Sequence, residues 1–173
     1  KASDTDQLRR AVSAVLGVAE PGRDEVVVRL ESGGGLVHAY GLAAAQLDRI
    51  RNKGVRLTAC VDKVAASGGY MMSMGASYLY TKPSSFIGNV GVILSFPGPL
   101  ISRTPSEQVV PTGPFKLNGG GRRYFIGITD QLKQSFATIV MTERGAVLNI
   151  PRSEVLSGRI WPGVEGVKVG IAD

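Results

Sequence analysis

A β-branched run passes directly into a glycine turn in the stretch Glu25-Val26-Val27-Val28-Arg29-Leu30-Glu31-Ser32-Gly33-Gly34-Gly35. Consecutive apolar positions of this kind are typical of a strand that is covered on both faces. After the turn, apolar residues from Leu36 to Ile50 recur at the spacing of a helix, which ends near Gly54. A strand, a tight turn and a helix in this order predict the first half of a parallel strand–helix–strand unit.

The same order occurs again further along the chain. A second strand is predicted from about Val55 to Val61, and the turn Ala65-Ala66-Ser67-Gly68-Gly69 leads into a short buried helix, Tyr70 to Met74. Further strands are predicted at 78–81, 87–94 and 107–111, and further helices at 130–144 and 151–156. Repeated strand–helix units predict an α/β fold with a parallel sheet. We expect one domain over residues 21–173, preceded by an N-terminal helical arm over residues 1–20.

The composition excludes several classes of protein. With 43% hydrophobic and 20% charged residues, the chain can bury a core, which excludes an intrinsically disordered protein. The net charge of +6 comes from scattered basic residues that are not interleaved with aromatic ones, so we expect no nucleic-acid binding. The single cysteine, Cys60, excludes an intrachain disulfide, and with only one histidine, His38, a zinc site is not expected.

Two glycine turns, at 33–35 and 68–69, each follow a strand and precede a helix. The N-terminus of a helix exposes unpaired N–H groups, and glycine lets a substrate carbonyl come close to them. Side by side, two such turns would form an oxyanion hole. Neither turn carries a phosphate-binding signature, and the remaining alternative is that the glycines serve only to make tight strand–helix turns.

Ser67 begins the second helix among small residues, which leaves its hydroxyl accessible. The position suits a nucleophile, as in a nucleophile elbow, and equally an ordinary N-cap serine. A serine nucleophile needs a base, and a Ser–His–Asp triad would have to use His38. A lone histidine on a helix is more typical of a surface or packing residue. Cys60 is a weaker candidate nucleophile because it lies within an apolar strand.

Lysine is the other candidate base, but only where desolvation lowers the pKa of its amine well below the usual ~10.4. Lys116 fits this requirement, since a phenylalanine precedes it, a leucine follows it, and no acidic residue occurs between Glu107 and Asp130. Lys63, in contrast, has an acidic neighbour. The residues alone leave Lys116 as one candidate base, far along the chain from Ser67.

Three blocks of the chain resemble the signal peptide peptidase A family, and its SohB branch in particular. They are Arg29-Leu30-Glu31-Ser32-Gly33-Gly34-Gly35-Leu36-Val37-His38-Ala39-Tyr40-Gly41-Leu42-Ala43, Val61-Asp62-Lys63-Val64-Ala65-Ala66-Ser67-Gly68-Gly69-Tyr70 and Ile87-Gly88-Asn89-Val90-Gly91-Val92. Members of this family are serine–lysine peptidases with the ClpP/crotonase fold and are usually anchored in a membrane. The resemblance covers about residues 24–173 and implies an α/β, ClpP/crotonase-like fold with repeated strand–helix units.

The resemblance assigns a role to individual residues. Ser67 matches the nucleophile, Lys116 matches the general base, and Gly35 and Gly68 match the backbone donors of the oxyanion hole. The substrate-binding residues that we expect around them are Gly34, Gly69, Tyr70, Val90, Gly91 and Val92. The chain departs from the family at Gly33, where a proline is usual, and a glycine there leaves the oxyanion turn less preorganised.

The resemblance also implies a substrate class and a setting. We expect a serine endopeptidase that needs no cofactor or metal, cleaves signal-peptide remnants or membrane-protein fragments, and forms a homo-oligomer. The chain has no apolar stretch of 18 residues and begins with Lys1, so we expect a fragment whose membrane anchor lies outside this sequence. The catalytic domain is then expected outside the cytoplasm. Two alternatives are a crotonase-type acyl-CoA enzyme that uses the same oxyanion hole, and an inactive binding or scaffold domain.

Overall fold

The computed structural model of the chain describes residues 2–93 and 119–173. Lys116 and the predicted strand at 107–111 lie outside the described residues. The described elements, in chain order, are α1 Ala2–Val18, β1 Glu25–Ser32, α2 Val37–Asn52, β2 Arg56–Ala66, α3 Gly68–Ser73, β3 Tyr78–Thr81, β4 Phe86–Gly88, α4 Gly119–Arg144, α5 Arg152–Val155, β5 Ile160–Pro162 and α6 Gly163–Val169.

The long strand β2 is the centre of the described sheet. It pairs in parallel with β1 on one side and with β3 and then β4 on the other, and β4 pairs antiparallel with β5. The sequence prediction of an α/β fold with parallel strand pairs is thereby confirmed. Because the strands are parallel, β1 and β2 both end at the same edge of the sheet, where the two glycine turns begin.

An irregularity in β2 marks the place where this strand changes partner. Its pairing with β1 shifts between Leu30 and Ser32, and on its other side β3 gives way to β4. The buried hydroxyl of Ser85 lies 3.1 Å from the carbonyl oxygen of Val61, which also accepts the N–H of Lys82, and 2.9 Å from the carbonyl oxygen of Asp62. This hydroxyl therefore adds a polar contact to β2 where the strand changes partner.

Charged side chains surround the same irregularity. Asp62 accepts hydrogen bonds from Arg29 and forms an ion pair with Lys82, whose Nζ lies 3.0 Å from Oδ1. The hydrogen bond from Arg29, and then that from Lys82, holds the pKa of Asp62 below its usual value. Asp62 therefore stays ionised at neutral pH and connects β2 with β1 and with the residue that follows β3.

Two hydrophobic clusters hold the helices on the sheet. The larger cluster joins β2, α3, α4 and β5 through fully buried side chains such as Tyr70, Ile87 and Trp161. The smaller cluster packs α1 against α2 and the start of β2, with Val12 and Leu47 at its centre. The apolar face of the predicted N-terminal arm is therefore covered within this chain. None of the helices in the described ranges has both the length and the apolar character needed to cross a bilayer.

Three predicted elements have clearly different bounds in the structure. The second strand, predicted to end at about Val61, continues to Ala66. The strand predicted at 87–94 ends at Gly88, because Gly88 (φ 102°) and Asn89 (φ 53°) turn the chain away from the sheet. The side chain of Asn89 fixes this turn by donating to the carbonyl of Gly158 at 2.7 Å. The helix predicted from Asp130 begins earlier, at Gly119, although glycine-rich sequence opens it.

Candidate active site

Ser67 lies at the junction of β2 and α3 in a backbone conformation that side-chain-bearing residues rarely adopt. Its φ is 52° and its ψ is −122°. The Ser67 N–H donates to the carbonyl of Gly88 at 2.8 Å, and its carbonyl accepts the N–H of Met71 at 3.0 Å. Although Ser67 is the N-cap residue of α3, its side chain makes no capping hydrogen bond. The structure therefore does not support the N-cap interpretation of this serine, and its hydroxyl is available for another role.

The conformation of Ser67 stores strain. A non-glycine residue in such a region costs about 1–3 kcal/mol and persists only where its surroundings hold it in place. Here the pairing of β2 with β4 and the first turn of α3 hold the residue from both sides. A sharp strand-to-helix turn with a half-buried serine at its apex is the geometry of a nucleophile elbow.

We expect the variant Ser67→Gly to unfold at a higher temperature than Ser67→Ala. Glycine relieves strain of about 1–3 kcal/mol at this φ. Its greater freedom in the unfolded chain lowers the free energy of unfolding by about 0.5–1 kcal/mol and so offsets part of this gain. The net stabilisation of about 1 kcal/mol corresponds to about 2–4 °C in Tm, measurable by thermal unfolding. Ser73, which is helical, is the matched control, because there alanine should be the more stable of the two substitutions. An alanine variant at position 67 as stable as the glycine variant would contradict this account.

The two glycine turns lie against each other. A Cβ atom placed on Gly34, whose φ is +94°, would lie 2.7 Å from the Cβ of Ser67 and 3.1 Å from the backbone nitrogen of Gly68. A Cβ atom on Gly69 would overlap the carbonyl oxygen of Ser32. Glycine is therefore required at both positions for the turns to approach this closely.

Hydrogen bonding distinguishes the glycines of the two turns. The N–H of Gly34 donates to Oγ of Ser32 at 3.2 Å, and the carbonyl of Gly34 accepts the hydroxyl of Tyr40 at 3.0 Å. Gly68 is the first residue of α3, so its N–H has no acceptor within the helix. Sequence alone did not separate Gly34 from Gly35, whereas in the structure the polar groups of Gly34 are occupied.

A small apolar cavity of about 90 Å³ opens beside Ser67. Both turns contribute to its wall, through Gly35 and Gly68, and the segment after β4 contributes Gly91 and Val92. The helix α4 closes the opposite side with Leu132, Phe136 and Ile139. A larger polar cleft of about 400 Å³ lies at the other end of the sheet, where β1 and β2 begin, away from Ser67. Sites in parallel sheets form at the carboxyl ends of the strands, so we take the smaller cavity as the candidate active site.

Two residues that were expected to bind substrate have their side chains in the core. Tyr70 is fully buried, its hydroxyl donates to the carbonyl of Ile171 at 2.8 Å, and burial raises the pKa of its phenol. Val90 is 1% exposed and belongs to the same cluster. We therefore place these two side chains among the packing residues. Gly69 serves the contact between the turns, and Gly91 and Val92 line the cavity. Their binding of substrate stays a prediction.

The described part of the chain brings no base to the cavity. Ser67 and Ser135 bring the only side-chain polar groups among the described residues that line it, and a hydroxyl does not take up a proton near neutral pH. His38 is exposed on α2 and does not line the cavity, and Cys60 lies within β2. Within the ranges 2–93 and 119–173, no group of histidine, cysteine or acidic residues could hold a metal ion. Lys116, outside the described residues, remains the predicted base.

Sequence analysis did not identify Tyr40 as part of the site. Helical periodicity places Tyr40 only on the apolar face of α2, yet its hydroxyl and ring together contact both glycine turns. A tyrosine has a polar tip that needs a partner when it is half-buried, and its place in the first turn of the helix that follows Gly35 was the available signal.

The chain is similar over nearly its whole length to a protein named as a probable protease, and part of it matches models of a peptidase family. Residues 1–47 match the family model for the N-terminal part of peptidase family S49, and residues 49–99 match the model for peptidase family S49. The chain is 37% identical to the probable protease SohB of Haemophilus influenzae over 99% of this chain and 51% of that protein. It is 52% identical to the probable protease SohB of Buchnera aphidicola subsp. Schlechtendalia chinensis over 56% of this chain and 31% of that protein.

A more distant similarity points in the same direction. Protease 4 of Salmonella typhi is 34% identical over 42% of this chain and 12% of that protein. The chain thus spans about half the length, or less, of these relatives.

Proposed function

Because this chain belongs to peptidase family S49, we propose that it forms the catalytic domain of a serine endopeptidase with a Ser67–Lys116 dyad. The α/β architecture agrees with the ClpP/crotonase-like fold of that family. The observation that carries the proposal is the strained, uncapped Ser67, held between two glycine turns at the mouth of an apolar cavity.

The proposed reaction begins with Lys116 in its neutral form. Its amine takes the proton from Oγ of Ser67 as this oxygen attacks the scissile carbonyl, and a tetrahedral oxyanion forms. The resulting ammonium group then gives the proton to the leaving amine, the peptide bond breaks, and an acyl-enzyme remains. Water attacks the acyl-enzyme with Lys116 again acting as the base, which releases the acid product and regenerates Ser67.

The backbone N–H groups of Gly35 and Gly68 are the proposed oxyanion donors. Gly68 supports this role as the first residue of α3, and Gly35 supports it by lining the cavity next to Ser67. The N–H of Gly34 is already donated to Ser32, which leaves Gly35 as the better donor of the first turn. Each such donor contributes about 3–4 kcal/mol to transition-state stabilisation in a site that excludes water.

The cavity also indicates which side chain the substrate presents at the cleaved bond. Its volume of about 90 Å³ is smaller than the ~150 Å³ that admits benzene, and its wall is largely apolar. A small or aliphatic side chain fits such a space, and an indole does not. We propose that the natural substrates are signal-peptide remnants or membrane-protein fragments, and that the enzyme is a membrane-associated homo-oligomer with its catalytic domain outside the cytoplasm.

A fluorophosphonate probe tests the proposed function. The probe should form one covalent adduct, and peptide mapping by mass spectrometry should place it on Ser67. Ser135 is a second serine in the cavity wall and serves as an internal control, since its hydroxyl already donates to the carbonyl of Gln131 at 3.0 Å. Absence of an adduct at Ser67 would instead favour an acyl-CoA enzyme that uses only the oxyanion hole, or a binding domain.

A further inference from the structure

The side chain of Tyr40 connects the two glycine turns. Tyr40 lies in the first turns of α2, with its N–H donated to the carbonyl of Leu36 at 3.2 Å. Its hydroxyl reaches the first glycine turn, and its ring lies against glycines of both turns. On Gly35 and on Gly68 alike, the three heavy atoms nearest to a placed Cβ atom all belong to Tyr40.

The hydroxyl of Tyr40 closes a ring of three hydrogen bonds. The N–H of Gly34 donates to Oγ of Ser32 at 3.2 Å, Oγ of Ser32 lies 2.7 Å from the Tyr40 hydroxyl, and this hydroxyl donates to the carbonyl of Gly34 at 3.0 Å. If Ser32 donates to Tyr40, every proton in the ring is used once. Both polar groups of Gly34 are then fixed, and with them the orientation of the following peptide.

The aromatic ring of Tyr40 acts as a spacer between the donors. A Cβ atom on Gly35 would lie 2.9 Å from Cε2 of the ring, and a Cβ atom on Gly68 would overlap its Cγ. The ring therefore lies directly beside the α-carbons of both residues. Because α2 is anchored in the core through Leu47 and Ile50, the ring is a fixed surface against which both turns pack.

This support is needed because the first turn has little stiffness of its own. It consists of three consecutive glycines, Gly33 to Gly35, and glycine has the widest choice of backbone conformations. An oxyanion hole accelerates a reaction only when its donors are already oriented before charge develops. A side chain that fixes one donor through hydrogen bonds and spaces it from the other provides that orientation.

We propose that Tyr40 is a positioning residue for the oxyanion hole and acts through Gly35 and Gly68 without touching substrate. Tyr40 is not among the residues that line the described cavity, which agrees with an indirect role. The inference rests on the proposed peptidase function. The side chain has two roles: its hydroxyl orients the first glycine turn, and its ring spaces the two turns.

Variants at Tyr40 test the two parts separately with a fluorogenic peptide amide that has leucine at the cleaved bond. Tyr40→Phe, which keeps the ring, should lower kcat about 10-fold and leave KM within about 2-fold, while Tyr40→Leu should lower kcat about 100-fold. Binding of a peptide boronic acid, which places an oxygen in the oxyanion hole, should weaken by the same factors as kcat/KM. Ser32→Ala combined with Tyr40→Phe should be no worse than either change alone, since both open the same ring of hydrogen bonds.

Ser73→Ala is the matched control. It removes a buried hydroxyl that donates to a backbone carbonyl, that of Tyr70 at 2.7 Å, within α3 itself. This variant should lose stability in thermal unfolding and keep its kcat. If Tyr40→Phe likewise loses only stability, with kcat and boronic acid affinity unchanged while the parent protein still labels at Ser67, the positioning role is wrong and the peptidase proposal stands. If the parent protein does not label at Ser67, both the peptidase proposal and the positioning role of Tyr40 are wrong.

Discussion

Replacing Ser67 with alanine should lower kcat by about 10⁴-fold or more while the protein folds as before. Alanine keeps the Cβ atom, so the backbone at φ 52° is no more strained than with serine. Because the hydroxyl makes no capping hydrogen bond, its removal takes no hydrogen bond away from the backbone of α3. The measurement is kcat on the peptide amide together with thermal unfolding of the purified variant.

The specificity of this effect is checked against Ser73, the last residue of α3. Ser73→Ala removes a buried hydroxyl and should be the less stable of the two variants, yet it should retain its kcat. A Ser67→Ala enzyme that keeps more than about a tenth of the parent kcat would refute the assignment of the nucleophile.

Replacing Lys116 with alanine should have an effect of similar size, a loss of about 10⁴-fold in kcat, because nucleophile and base act as one unit. The double variant with Ser67→Ala should therefore be no less active than either single variant. Lys116→Arg is a sharper test, since it keeps the positive charge but cannot act as a base. Lys63 is the matched control: it is exposed, its Nζ lies 3.1 Å from Oε1 of Glu31, and Lys63→Ala should leave kcat unchanged.

The direction of the pH dependence follows from the same role. The base must be neutral, so kcat should rise as the pH increases through the pKa of Lys116 and level off above it. Desolvation lowers a lysine pKa below the usual ~10.4, so the rise should fall in the neutral to mildly alkaline range. A profile that is flat over this range, or Lys116→Arg with the activity of the parent, would argue for a different base.

The fold was largely predictable because the decisive signals are local. The β-branched run that begins at Glu25 and the helical spacing from Leu36 to Ile50 predict β1 and α2 directly, and both form as expected. Ala66-Ser67-Gly68 at a strand end likewise indicated the turn into α3. Each of these features depends on residues close together in the chain.

Features that depend on distant partners were not predictable. The change of partner along β2 is stabilised by Ser85, a residue of the connection between β3 and β4 that has no periodic pattern. The burial of Tyr70 depends on the carbonyl of Ile171, which is 101 residues away. The role of Tyr40 depends on the approach of two turns from different strand–helix units. Sequence periodicity carries no information about such contacts.

The distance from Oγ of Ser67 to Nζ of Lys116, in a crystal structure of the enzyme with a bound peptide boronic acid, tests the dyad most directly. We predict a lysine amine within about 2.6–3.2 Å of the serine oxygen, with an oxygen of the inhibitor directed at the N–H groups of Gly35 and Gly68. A structure in which the amine lies beyond the reach of a hydrogen bond, in every pairing of subunits, would contradict it.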